Sequence, residues 1–373
     1  MQVGIVSMQR IYNYGSFLQA YGLKKTIEDL GHQVEFIDYK IEECIVKEEK
    51  SLFYRFKERY GDTAFYKFLK FWGFINYPRY KRNKMNTKYY NAYCELYDKE
   101  CKKYLNITPE YKYRSKVDTL VIGSDEVFNC LQSNKDVGYS KELFGANANA
   151  DKIISYAGSF GTTTVEQLKT YKVDHEVAVL LNKFDAISVR DKNSLDVVKK
   201  LTGLDAEYHI DPVLVYDFEE EVTYEPKLKN YIIVYAYGNR ITKEEQIKIK
   251  EIAKSKNMKL ISLGGYQDFC DEHIIATPFE TLAYFKNADY IITDTFHGSV
   301  FSIKYNRPFI TLIREGNRQK LSDLLERLGH VDRAVGRLDE MYKTLEKPVD
   351  FTNSNQVIER ERKKSKKYLE ENL

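Results

Sequence analysis

Short runs of consecutive apolar residues recur along this chain. Most end in a small polar cluster, and a stretch of helical spacing follows. Val3-Gly4-Ile5-Val6, Leu120-Val121-Ile122, Tyr231-Ile232-Ile233-Val234-Tyr235, Tyr290-Ile291-Ile292-Thr293 and Phe309-Ile310-Thr311-Leu312 are examples. A strand covered by helices on both faces needs such unbroken runs. The opening segment shows the rhythm best. After the run at 3–6 comes the turn Asn13-Tyr14-Gly15-Ser16. Phe17 to Leu30 then carries Leu18, Tyr21, Leu23, Ile27 and Leu30 at helical spacing, and Gly31 supplies a stop. Val34 to Asp38 reads as the second strand of a βαβ unit.

The rhythm lapses at 41–115, a Tyr-, Lys- and Phe-rich stretch that reads as a helical insertion. It resumes with strands at 118–123, 152–157 and 186–189, with helices near 165–182 and 191–202. A short strand ends at Ile210, and Asp211-Pro212 closes this half. Residues 217–230 look like a linker. A second α/β series has strands at 231–235, 259–263, 290–293 and 309–312 and a helix near 318–329. The expected fold class is α/β, with two doubly wound Rossmann-like domains at 1–216 and 217–352. A charged C-terminal helix over 353–373 is expected to pack back on the first domain. Ligand belongs at the carboxyl ends of the strands, in the crevice between the domains.

Charge and cysteine content narrow the function classes. The 373 residues hold 58 Lys+Arg against 55 Asp+Glu, a net charge of +3. That balance gives no whole-chain case for nucleic-acid binding, so no nucleic-acid partner is expected. Residues 54–104 are locally basic, with thirteen Lys+Arg against five Asp+Glu. This segment suits contact with an anionic membrane surface, though a solvated helical face reads the same way. The five cysteines are scattered and none forms Cys-x-x-Cys, so neither a disulfide scaffold nor a structural zinc site is expected. No Asp-x-Asp or His-x-x-x-His occurs, so no metal is expected. The N-terminus has no basic region followed by an apolar stretch, and no signal peptide is expected. The expected location is the cytoplasm, with the inner face of the cell membrane as a working surface.

Four clusters fall where strand ends should meet the crevice. Asn13, Gly15 and Ser16 precede a helix whose free N–H groups attract anions; an ordinary capped turn looks the same. Gly123-Ser124-Asp125-Glu126-Val127-Phe128-Asn129 follows another strand. Arg190 ends the strand 186–189, where a guanidinium suits a carboxylate or phosphate; a local salt bridge with Asp191 is the plainer reading. Thr293-Asp294-Thr295-Phe296-His297-Gly298-Ser299 is the strongest cluster. It places a histidine, the side chain suited to proton transfer near neutral pH, at a strand end and helix start. Arg314 ends the strand at 309–312.

With these motifs in view, the chain resembles the polysaccharide pyruvyl transferase family over about 1–40 and 117–335. The resemblance rests on Asn-Tyr-Gly-Ser-Phe-Leu-Gln-Ala (13–20), Gly-Ser-Asp-Glu-Val-Phe-Asn (123–129), Ser-Val-Arg-Asp (188–191), Asp-Pro-Val-Leu (211–214) and Asp-Thr-Phe-His-Gly-Ser-Val-Phe-Ser (294–302). The family more often has Gln at position 126 and Trp at position 128. The resemblance implies an architecture like the B-type glycosyltransferases, phosphoenolpyruvate as donor substrate, and no cofactor. It implies a saccharide or lipid-linked saccharide acceptor, and a pyruvate ketal on an exopolysaccharide or capsular glycan as product. In that scheme His297, Asp125 and Asp294 are the catalytic candidates. Arg190, Arg314, Gly298, Ser299, Asn13, Gly15 and Ser16 are the donor-binding candidates. Ser124, Phe128 and Asn129 are placed toward the acceptor. His297 serves as acid or as phosphate stabiliser, and the two aspartates as bases or as orienting groups. Two rival readings stand beside this one. The first is a nucleotide-sugar glycosyltransferase, with Glu280 as ribose ligand. The second is a non-catalytic scaffold of a polysaccharide assembly complex.

Overall fold

A computed structural model describes residues 1–46, 77–238 and 240–373, with side chains throughout except at 77–84. The first sheet holds β1 (Gln2–Val6), β2 (Gln33–Phe36), β3 (Val117–Asp125), β4 (Ala150–Gly158), β5 (Ser188–Val189) and β6 (Glu207–Tyr208). Its order is β2-β1-β3-β4-β5-β6, and every pairing is parallel. The second sheet holds β7 (Tyr231–Tyr235), β8 (Lys259–Leu263), β9 (Glu272–His273), β10 (Tyr290–Thr293), β11 (Phe309–Leu312) and β12 (Ala334–Val335). Its order is β12-β11-β10-β7-β8-β9, again all parallel. Both are doubly wound α/β sheets. Helices cover the two faces, which explains why β7 is buried along its whole length. The strand order reverses direction between β1 and β3, and again between β7 and β10. Those reversals open crevices at the carboxyl ends of the strands, so both switch points are expected to carry ligand.

The helices that matter here, in chain order, are α1 (Tyr14–Asp29), α2 (Tyr77–Glu100), α3 (Pro278–Asn287), α4 (Phe296–Lys304), α5 (Arg318–Arg327) and α6 (Thr352–Asn372). Helix α1 begins three residues earlier than its apolar spacing predicts. Asn13 caps it, with Oδ1 accepting from the backbone N–H groups of Gly15 at 2.7 Å and Ser16 at 3.3 Å. The helix expected at 165–182 is two, Val165–Thr170 and Asp174–Leu181, broken where Lys172 takes φ 58°. Strands β9 and β12 are two residues each, too short to leave a periodic signal. Helix α6 lies against the first sheet: Tyr368 Oη donates to the Ser155 carbonyl at 2.9 Å, and Arg362 Nε donates to the Leu214 carbonyl at 2.6 Å.

The helical reading of the whole 41–115 insertion needs correcting. Within the described residues the helical part is α2 and the π-helical turn Cys101–Leu105 that continues it. Residues 106–116 are irregular, starting where Asn106 adopts φ 54°; the 54–76 portion of the basic segment lies outside the described residues. Tyr93, Tyr97, Cys101 and Leu105 recur every four residues and are all buried, so one stripe of this arm is core. The stripe packs on α1 and α3 through ring pairs. Tyr14 meets Tyr93 at 5.0 Å, Phe17 meets Tyr97 at 5.9 Å, and Phe279 meets Phe17 at 5.8 Å and Tyr104 at 4.8 Å. Each such pair adds about 0.5–1.5 kcal/mol beyond its buried area. Tyr14 Oη donates to the Ala276 carbonyl at 2.7 Å, and Tyr89 Oη donates to the Ile274 carbonyl. These tyrosines thus clamp the first sheet, the arm and the second sheet together. No helix among the described residues is long and apolar enough to cross a membrane.

Candidate active site

The carboxyl ends of both sheets face one cavity of about 540 Å³. On its wall a chain of buried ionic contacts runs from one sheet to the other. Ser16 Oγ, in the first turn of α1, donates to Asp125 Oδ2 at 3.0 Å. Arg190, just past β5, donates through Nη2 to Asp125 Oδ1 at 2.9 Å and through Nη1 to Asp211 Oδ2 at 2.8 Å. Its guanidinium also stacks on Phe296, 4.5 Å from the ring centroid. His297 of α4 completes the chain, with Nε2 3.5 Å from Asp211 Oδ2, an ion-pair distance rather than a tight hydrogen bond. Asp211 is held in place as the cap of the short helix Pro212–Val215, its Oδ1 accepting from the Val213 N–H at 3.0 Å.

The electrostatics follow from this geometry. Burial alone would raise the Asp125 carboxyl. The charges of Arg190 and His297 and the Ser16 hydrogen bond outweigh it and hold Asp125 below the usual carboxylate range. Asp211 behaves likewise, with His297 and Arg190 outweighing burial. Arg190 is in turn locked in its charged form, because the two aspartates outweigh its desolvation.

Asp294 is the opposite case. Its side chain is fully buried at the end of β10, and neither oxygen accepts a hydrogen bond from the described residues. Arg240 Nη1 and Arg314 Nε both stay 3.9 Å away. Burial therefore wins over these cations and raises its carboxyl. The cavity has two further cations. Lys320 of α5 is paired with Glu126 at 2.7 Å. Arg240 lies over the Tyr237 ring at 4.6 Å, with 48% of its side chain exposed.

The structure brings together only part of the site expected from sequence. Asn13, Ser16, Asp125, Arg190, Asp294 and His297 all line the cavity. Gly15 does not hold a donor; it makes room. A Cβ there would sit 2.0 Å from His297 Nδ1, so only glycine lets α1 and α4 approach this closely. Arg314 is spent on Glu245, which it grips at 2.6 and 2.8 Å, and it does not line the cavity. Gly298 and Ser299 also face away. The Gly298 N–H donates to the Thr295 cap at 2.9 Å, and Ser299 Oγ bonds Thr311 and the Thr295 carbonyl.

The three residues placed toward the acceptor are wall rather than surface. Phe128 is fully buried among Phe144, Phe160 and Phe184. Ser124 bonds Gln19 behind β3, and Asn129 is tied to Glu126 and Thr163. Glu280 is equally unavailable, because its carboxylate accepts from the Thr277 N–H in a capping box. Sequence reasoning missed Arg240, Asp211 and the Glu126–Lys320 pair as site residues. The strand-end rule that picked out Arg190 would also have found Arg240, five residues past β7.

The model of the polysaccharide pyruvyl transferase family matches residues 13–316. The chain belongs to that family. The match runs from the Asn13 cap, through Asp125, Arg190 and Asp211, to His297 and beyond, so it spans both walls of the cavity. A search of curated proteins returned no match. Among solved structures, a UDP-GlcNAc 2-epimerase of Methanocaldococcus jannaschii aligns over 96% of this chain and 99% of its own, at 10% identity and a TM-score of 0.49. An O-GlcNAc transferase mutant of Thermobaculum terrenum aligns over 98% of this chain and 64% of its own, at 11% identity and a TM-score of 0.41. An Escherichia coli heptosyltransferase, WaaC, aligns over 84% and 89%, at 11% identity and a TM-score of 0.36.

Proposed function

We propose that this member of the pyruvyl transferase family moves pyruvate from phosphoenolpyruvate onto two hydroxyls of a saccharide, forming a cyclic ketal. The observation that carries the proposal is the meeting of His297 with the Asp125–Arg190–Asp211 cluster across one cavity. A small trianionic donor needs cations with charge to spare. Arg190 has little, since two aspartates flank it. Arg240 is half-exposed, and its contact with Asp294 is a long one at 3.9 Å, so it is the natural phosphate ligand. Lys320 joins it by exchanging Glu126 for a phosphate oxygen. Arg190 then fixes the orientation of Asp125 and Asp211 more than it supplies net charge.

The chemistry balances without a cofactor. A proton adds to the methylene carbon of the enol, and C2 becomes electrophilic. One saccharide oxygen bonds to C2 and gives up its proton. The C2–O bond to phosphate breaks, and the second oxygen closes the ketal. Of the two hydroxyl protons, one restores the acid that made the methyl group and the other leaves on phosphate. His297, with Asp211 3.5 Å from its Nε2, is the acid in this scheme. Asp125, held ionised, accepts the hydroxyl proton. Burial raises the Asp294 carboxyl, which favours its protonated form and lessens its repulsion of an anionic donor. The cytoplasmic face of a membrane is the proposed setting if the acceptor is lipid-linked.

The test is calorimetric titration with phosphoenolpyruvate, then detection of released phosphate as saccharide acceptors are added. Binding that Arg240→Gln weakens supports the proposal. Absence of binding, together with binding of a nucleoside diphosphate, overturns it.

A further inference from the structure

The cavity has two chemically distinct sides. One is ionic, formed by Asp125, Arg190, Arg240, Asp294, His297 and Lys320. Among the described residues the other has no charged side chain in its lining, although the Tyr12 hydroxyl donates to Asp98 at 2.9 Å. It is lined by Tyr12, Asn86, Tyr89, Tyr90, Gln132 and Tyr266, and most of these come from the α2 arm and the loop after β1. Tyr12 and Tyr90 stand 6.4 Å apart with their planes at 67°, and 40% and 51% of their surfaces remain exposed. Such exposed aromatic area inside a cavity calls for an occupant. Tyr237 joins the two sides: Arg240 lies over its ring, and its hydroxyl accepts from Asn13 Nδ2 at 3.0 Å.

We infer that the tyrosine side is a saccharide subsite, in which a neutral pyranose packs its C–H face on Tyr90 and Tyr12. Aromatic faces fringed by hydroxyl and amide groups suit a ring that is apolar on its faces and polar at its rim. The steep angle between Tyr12 and Tyr90 makes a corner, not the parallel slot that would grip a flat base. Asn86 lines the same side and is the amide offered to the rim hydroxyls; Gln132 is held by its own loop, donating to the Gly138 carbonyl at 2.6 Å and accepting from the Asn134 N–H at 2.6 Å. That the bound sugar is the acceptor rests on the pyruvyl-transfer reading; that it is a sugar does not. A pyranose in this corner presents its far edge toward His297 and Asp125, past Tyr237.

The test uses the whole protein and saturation-transfer NMR. The probes are methyl β-D-galactopyranoside, methyl β-D-glucopyranoside, methyl α-D-mannopyranoside and uridine. Each pyranoside offers a C–H face, so a stacking corner registers at least one of them. Tyr90→Ala and Tyr12→Ala should each weaken that signal roughly fivefold, as expected on losing one stacked ring. Tyr171→Ala, at an exposed tyrosine outside the cavity, should leave it unchanged. Both test residues are exposed, so their variants fold, and a thermal melt checks this. Silence for all three pyranosides overturns the inference, as does transfer to uridine alone or a signal indifferent to both substitutions. Phosphoenolpyruvate titration of the same samples keeps the two claims apart. Donor binding without sugar binding sinks the subsite alone, and sugar binding without donor binding sinks the pyruvyl-transfer reading alone.

Discussion

Gly15→Ala offers the sharpest test of how the two sheets are brought together. The new Cβ would lie 2.0 Å from His297 Nδ1 and 2.2 Å from its Cγ, whereas ordinary contact starts at 3.4 Å. The imidazole must retreat by the difference, about 1.4 Å, or α1 and α4 must part. Either movement disturbs the 3.5 Å contact between His297 and Asp211. Two opposing stability terms then compete. Alanine within a helix gains about 0.5–1 kcal/mol over glycine, while overpacking costs about 1–3 kcal/mol. The net loss should therefore be small, up to about 2.5 kcal/mol, and the protein should remain folded. The functional loss should be larger in proportion, because a displacement near 1 Å costs on the order of 100-fold in a positioned site. The assay is a double-mutant cycle with His297→Ala, read by phosphoenolpyruvate affinity and by urea unfolding. Gly15→Ala should lose most of what His297→Ala loses, and the double variant little more. An affinity within twofold of the parent protein, or losses that add in full, would refute the reasoning.

Other outcomes follow from the same contacts. Arg240→Gln should weaken phosphoenolpyruvate at least about tenfold, the value of one charge-assisted hydrogen bond. Its melting temperature should hardly change, because the side chain is half-exposed; unchanged affinity in calorimetry would remove Arg240 from the donor site. Arg190→Met leaves Asp125 and Asp211 buried without their cation, and should cost about 3–5 kcal/mol in urea unfolding at neutral pH. The folded-state carboxyls of these aspartates are lowered, so their contribution is present above the ordinary carboxylate range and lost as pH falls through the folded values. The parent protein should accordingly lose stability in acid, while Arg190→Met should gain on it there; parallel pH curves for the two would contradict this. Asp294→Asn should stabilise the protein at neutral pH. The raised carboxyl of Asp294 means that the folded state binds the extra proton, so its penalty grows as pH rises through the carboxylate range. A lower melting temperature at pH 7 than at pH 4, relative to the parent, would count against that sign.

The strands were legible because parallel strands buried on both faces leave unbroken apolar runs. Tyr231 to Tyr235 needed no context to be recognised. Position along the strand was also informative: Asp125, Arg190 and His297 were singled out because each lies at or shortly past a strand's carboxyl end. What position did not reveal was direction. Arg314 also ends a strand, yet Glu245 draws its guanidinium away from the cavity. Phe128 follows Asp125 by three residues, yet the turn folds it inward among three phenylalanines. Gly15 looked like a phosphate-binding glycine, and its purpose became visible only once α4 was set against α1. The tyrosines were the least legible. Composition alone could not separate Tyr93 and Tyr97, buried on the α2 stripe, from Tyr90, exposed in the cavity. The helical spacing that sorts them depends on knowing which face meets α1.

What the ionic side of the cavity binds separates pyruvyl transfer from nucleotide-sugar chemistry most directly. Calorimetric titration of the intact protein with phosphoenolpyruvate, and separately with uridine diphosphate, decides it. The account predicts a single phosphoenolpyruvate site, weakened in parallel by Arg240→Gln and His297→Ala, and no uridine diphosphate binding. Uridine diphosphate bound in its place, with phosphoenolpyruvate silent, would contradict it.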